Sequence, residues 1–160
     1  MDTHTTLIVW LALRFTMAFM MLWAFFDKLL GLGFSTTPEN AWIKGVSPTY
    51  GFLKFGIHNA LFQKLAGSGI VDWLFMIGLL LIGLALLLGI GIRVAGYSGI
   101  ILMSLMWLSL FPPNTNPLID EHIFYILIFI GLTLMPVGNS LGLGNWWSHT
   151  DLVKKFPILL

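Results

Sequence analysis

Four apolar stretches organise this chain, each close to the ~20 residues an α-helix needs to cross ~30 Å of hydrocarbon. They run over about 7–30, 71–88, 94–111 and 120–137. The second is almost pure Leu, Ile, Phe and Gly, and the break Gly89-Ile90-Gly91-Ile92-Arg93 separates it from the third. Pro112 and Pro113 stop the third, because proline lacks the N–H a continuing helix donates. Segments that must satisfy their own backbone in lipid are helical. The alternating pattern of a membrane β-barrel is absent. The expected fold is all-α, a single domain over 1–160, built as an integral membrane four-helix bundle.

Between the first two spans, about Gly31 to Gly69, lies a connection too long for a simple turn. Trp42, Tyr50, Phe52, Phe55, Leu61, Phe62 and Leu65 are spread through it, so the expectation is a long ordered loop capping the bundle, with Trp42 and Tyr50 buried. Asn59 is placed to cap a short helix that Gly67 ends, with Leu61, Phe62 and Leu65 on its apolar side. Ser47-Pro48 is a second helix start, with proline at the first helical position. Gly78, Gly83, Gly96, Gly99 and Gly131 fall inside spans, where small residues let helices approach closely. Trp10, Trp23, Trp73 and Trp107 lie nearer span ends than centres, as interfacial belts require.

Composition agrees with lipid as solvent. Of the 160 residues 58% are hydrophobic and 9% charged, with mean hydropathy +0.91. Soluble domains average about 45–50% apolar and about 25% charged. A net charge of +1 and the lack of a basic run argue against nucleic acid as a partner. Absence of cysteine excludes a disulfide framework, a Cys-x-x-Cys pair and a thiolate metal site on this chain. Met1–Leu13 carries Asp2 and no Lys or Arg, so it lacks the basic n-region of a secretory signal and reads as part of a retained span. Four spans place both termini on one face with Arg93, Lys154, Lys155 and Arg14, against Lys28, Lys44, Lys54 and Lys64 on the loop face. By the positive-inside rule that is a tie.

Arg14 is the most informative single residue, a charge inside the first span that costs at least ~2.5 kcal/mol at a helix centre. At ~100° per residue it shares a face with Met21, Phe25 and Lys28, while Asp27 points elsewhere. Two readings stay open: a cationic site for an anionic or quinone-like ligand, and an arginine that snorkels to headgroups. Asp27 and Lys28 close the span and point apart, each free to pair with another segment through Asp72 or Glu121.

The densest polar run is Pro112-Pro113-Asn114-Thr115-Asn116-Pro117-Leu118-Ile119-Asp120-Glu121-His122, opening the fourth span. Asn116 or Asp120 can cap that helix, and acids complement its dipole. A histidine beside two carboxylates also suits proton transfer, since histidine is the side chain that changes charge nearest neutral pH. Asp120, Glu121 and His122 are therefore the catalytic candidates, and Arg14, Asp27, Lys28, Trp42, Lys44 and Tyr50 the substrate- or quinone-binding ones. His4, His58 and His149 are scattered, with no metal or di-iron spacing and no intramembrane pair for haem. No Gly-x-Gly-x-x-Gly follows a strand, so no flavin or nicotinamide fold is expected, and any redox cofactor is expected to be a diffusible quinone or to belong to a partner.

At Leu13-Arg14-Phe15, Leu22-Trp23-Ala24-Phe25-Phe26-Asp27-Lys28-Leu29-Leu30-Gly31-Leu32-Gly33-Phe34 and Ala41-Trp42-Ile43-Lys44-Gly45 the chain resembles the DoxX family, and especially its DoxD branch. The likeness continues in Ser47-Pro48-Thr49-Tyr50-Gly51-Phe52-Leu53, Gly89-Ile90-Gly91-Ile92-Arg93, Asn116-Pro117-Leu118-Ile119-Asp120-Glu121-His122 and Leu143-Gly144-Asn145-Trp146-Trp147. The resemblance implies a prokaryotic multi-pass cell-membrane protein with cytoplasmic termini and the Trp42–Phe55 loop outside. It implies the membrane subunit of a thiosulfate:quinone oxidoreductase, passing electrons to the quinone pool of a respiratory chain beside a second small subunit. The loop from Lys28 to Asp72 has four lysines against Asp27, Glu39 and Asp72, a mild excess suited to a dianion. The alternatives are a non-catalytic accessory subunit packed against a larger membrane complex, and a stand-alone carrier or lipid-binding protein. A homo-oligomer is also compatible with the sequence.

Overall fold

In the computed structural model each long helix ends where the sequence supplies a stop. All residues are described except Met1, Asp2, His58, Asn114, Thr115 and Pro136, together with the side chains of Thr3 and Asn139. Asp2, His58 and the Asn114-Thr115 part of the polar run therefore lie outside the described residues. Helix α1 spans Thr3–Leu30, α2 is a single turn at Ala60–Gln63, α3 spans Gly69–Leu88, α4 Ile92–Leu110 and α5 Glu121–Leu134. Two short helices, α6 (Gly144–Ser148) and α7 (Asp151–Lys155), complete the C-terminal segment. Among the described residues there is no strand.

Gly89 ends α3 in the left-handed conformation (φ 78°), its N–H bonded to the Ala85 carbonyl. A side chain there meets the Gly138 carbonyl at 2.9 Å, so glycine serves both the turn and the close approach. α5 is shorter than the expected span over 120–137. Met135 adopts extended geometry (ψ 137°), as a residue before proline tends to, because the proline ring disfavours the helical region. Fourteen residues rise only about 21 Å. Among the described residues three helices are long and apolar enough to cross a membrane: His4–Leu30, Gly69–Leu88 and Ile92–Leu110.

α1, α3, α4 and α5 share one core, built from Met17, Met21 and Phe25, Met76, Leu79 and Leu86, Met103, and Phe129 and Leu132. Glycines set the closest approaches. A Cβ on Gly83 would strike Leu22 of α1, one on Gly99 the Phe129 ring, one on Gly96 the Thr133 side chain, and one on Gly131 the Trp10 ring. Without a hydrophobic drive between helices in lipid, such contacts and the dispersion they permit supply the attraction. Gly78 differs, having open space where its Cβ would be.

Two buried carboxylates tie the loop between α1 and α3 to the helices. Asp27 accepts from Phe34 N–H at 3.2 Å and from Ser35 N–H and Oγ–H at 3.0 and 2.6 Å. Asp72 accepts from Ser47 Oγ–H at 2.8 Å and Thr49 Oγ1–H at 2.6 Å, both on Oδ1. Within the loop Ala41, Thr49, Leu53 and Ile57 are buried. Trp42 is half-buried and edge-on to Trp73, with ring centroids 4.7 Å apart. Tyr50 is 42% exposed and rests edge-on to Phe55 rather than being buried against the helices.

Asn59 caps α2 as expected, accepting from Leu61 N–H at 3.0 Å. Ser47 accepts from Tyr50 N–H at 3.1 Å, and that start leads into a π-helical turn at Phe52–Gly56. At the other end of the molecule the Arg93 N–H donates to the Leu160 carbonyl at 2.7 Å, and Trp147 Nε1–H to Leu159 at 2.6 Å. The C-terminal segment is thereby fastened over the α3–α4 turn.

Candidate functional site

The α3–α4 pair parts at its loop-side half, and there the chain leaves a cavity of about 540 Å³. Two antiparallel rows line it: Val71, Phe75, Gly78 and Ile82 on α3, and Ser98, Leu102, Leu105 and Ser109 on α4. Each row repeats at i, i+4, i+7 and i+11, the stripe one helix face presents. Eleven steps rise about 16 Å, so the cavity is a slot descending from the loop into the apolar middle of the pair. Thr49, Leu53 and Phe62 of the loop roof it. Its rim includes Leu74 and Ile101, which are 69% and 61% exposed, so the slot opens sideways onto the apolar outer surface.

Lys28 is the single charged residue in that lining. Its Nζ stands 6.0 Å from the Phe75 ring centroid. Among the described residues it makes no hydrogen bond and no ion pair within contact distance, and it interacts with the Asp27 carboxylate only at longer range. Thr49 gives its proton to Asp72, and Ser109 gives its own to the Met106 carbonyl at 2.7 Å. Lys28 is thus the donor left for a ligand at the roofed end, while the two hydroxyls keep lone pairs.

The remaining sequence candidates lie elsewhere. Arg14 is 0% exposed and donates from its two terminal nitrogens to the carbonyls of Val137 at 2.7 Å and Leu141 at 2.9 Å. It therefore faces the interior and does not snorkel, and its guanidinium also lies 4.5 Å from the Phe15 ring centroid. Among the described residues its Nε has no partner. Asp27, expected to point away from the Arg14 face, is as buried as the core because its carboxylate turns into the loop.

Asp120 accepts from His122 N–H at 3.0 Å as the cap of α5, and its second oxygen lies 2.9 Å from His122 Nδ1. Asn116 organises the preceding turn through Leu118 and Ile119 N–H. Glu121 is exposed, as is Lys44. Asp120, Glu121 and His122 bring their ligand atoms within 4.8 Å of one another, outside the lining of the slot. Of the nine sequence candidates the structure brings Lys28 alone to the cavity.

The slot itself was missed from sequence, since its walls are apolar residues on helices apolar all round. A signal was present: Ser98 and Ser109, eleven apart, fall on one face of α4. Comparison with protein-family models, with curated proteins and with solved structures gives no match.

Proposed function

We propose that this chain is the quinone-binding membrane subunit of a thiosulfate, or related sulfur-anion, quinone oxidoreductase, with a diffusible quinone as its cofactor. The observation that carries the reading is the slot with Lys28 at its roofed end. Its volume lies in the range of about 300–1,000 Å³ typical of small-molecule sites, apolar with few polar groups. A quinone head needs a donor for its carbonyl oxygen, which Lys28 supplies. The quinol formed by two electrons and two protons needs acceptors for its O–H groups, which Thr49 and Ser109 retain. Joining two thiosulfate ions through a new S–S bond releases the two electrons, at a donor site under the loop or on a second small subunit. His122, held by Asp120 beside Glu121 at the start of α5, is the proton partner this reading assigns.

In this reading α5 is the fourth crossing of a four-helix bundle in the cell membrane, with both termini cytoplasmic. The test is steady-state quinone reduction by the protein with its natural partners, thiosulfate as donor. Lys28→Gln raises the apparent KM for quinone about tenfold, as loss of a charged hydrogen bond predicts. An unchanged KM in a folded variant overturns the reading. One observation favours a second reading: Arg14, Asp27 and Asp120 spend their hydrogen bonds holding the fold together. That suits a non-catalytic accessory subunit of a larger membrane complex, for which quinone reduction is absent whatever the partner.

A further inference from the structure

Gly78 sits about midway along the α3 wall of the slot, and nothing lies within 4 Å of the place its Cβ would take. The other core glycines are close-packed against α1 or α5, so Gly78 is left bare of any neighbour that requires glycine. An alanine there would gain helix propensity. Packing therefore gives no reason for the missing side chain, whereas space for a ligand does.

The polarity of the slot has a direction. Lys28 and Thr49 stand at the roofed end with Val71 and Ser109. Below them the walls are Phe75, Leu102 and Leu105, and the side opens between Leu74 and Ile101 onto a surface suited to lipid. An amphiphile fits this in one sense only, with its hydrogen-bond-accepting head beneath the loop and its tail running down past Gly78. A charged or strongly hydrated tail end would be left in apolar surroundings without a partner.

Resting on the quinone reading above, we infer that the α3–α4 slot seats the tail of an isoprenoid or alkyl quinone and that Gly78 determines how much tail it holds. The head alone is held by Lys28. Ligands with the same head and different tails are then told apart by Gly78, and ligands with different heads by Lys28.

The experiment measures binding to the purified full chain in detergent of two benzoquinones sharing one ring, one without a tail and one with a decyl tail, by quenching of tryptophan fluorescence. Wild type, Gly78→Ala, Gly78→Leu and Lys28→Gln are compared, with thermal unfolding as the check on folding. Wild type should bind the decyl quinone more tightly. Gly78→Leu should weaken the decyl quinone about tenfold, the effect of displacing roughly two buried methylenes, and leave the tailless one unchanged. Gly78→Ala, which folds without strain, should give a smaller loss in the same direction. Lys28→Gln should weaken both.

If wild type binds neither quinone, the functional reading fails and this inference with it. If wild type binds both and the Gly78 variants do not discriminate between them, the tail lies elsewhere and this inference alone is overturned.

Discussion

The guanidinium of Arg14 donates to the carbonyl of Val137 at 2.7 Å, joining the first membrane helix to a segment 123 positions later. A second bond to Leu141 at 2.9 Å makes Arg14 a two-pronged clamp on the segment after α5, which forms only a short 3-10 turn at Val137–Ser140. Backbone carbonyls without water need a donor, and a planar fork serves two at once. The cost of a buried cation is met by the bonds it satisfies.

Arg14→Leu should therefore lower stability by about 2–5 kcal/mol, since it removes two charged hydrogen bonds to backbone carbonyls, the one to Val137 fully buried. Arg14→Lys should recover part of the loss, because an ammonium reaches one carbonyl more readily than two. Thermal unfolding in detergent measures both. If Arg14→Leu keeps its melting temperature and loses quinone affinity instead, the ligand role is the better account.

The two loop anchors should respond differently to amidation. Asp72 receives both hydroxyl bonds on one oxygen, so Asp72→Asn can keep them through its amide oxygen. Asp27 uses both oxygens, and Asp27→Asn must turn an N–H₂ group toward a donor. The expected loss is about 1–3 kcal/mol for Asp27→Asn and under about 1 for Asp72→Asn. Hydrogen exchange at 34–36 and 47–49 reports each anchor separately, and equal deprotection in the two variants would contradict the geometry.

Glycine positions divide into two classes. Gly99→Ala drives a methyl group into the Phe129 ring and should cost about 1–3 kcal/mol by overpacking. Gly78→Ala meets nothing and should be neutral or stabilising by up to about 1 kcal/mol. Melting temperatures of the pair decide this, with no ligand present.

Asp120→Ala should shorten or fray α5, at about 1 kcal/mol for a lost cap. His122→Ala removes the side-chain half of the same contact and keeps the cap. Turnover with thiosulfate and quinone then separates the roles: a drop in His122→Ala with the helix intact supports proton transfer, and unchanged turnover leaves capping as the account of the cluster.

The sequence by itself determined the helical segments and the medium they suit. Apolar length, Pro112 after α4, the left-handed glycine after α3 and the caps Asn59 and Asp120 are local properties, and each took effect where the pattern placed it. Even the shorter fourth helix has a local cause, in Met135 preceding proline. The tertiary structure decided which faces meet. α3 is apolar on every side, so nothing in its pattern marks Met76 and Leu86 as core and Leu74 and Leu81 as exterior. In water, polarity would have recorded that choice; in lipid, inside and outside are equally apolar, and shape makes it through glycines that admit Leu22, Phe129 and Trp10. The same reason hid the slot and the tasks of the charges. Arg14 and Asp27 were visible as unusual residues, but apart from the Ser35 hydroxyl their partners are backbone groups, which carry no identity in the sequence and become available only where the folded chain leaves them unpaired.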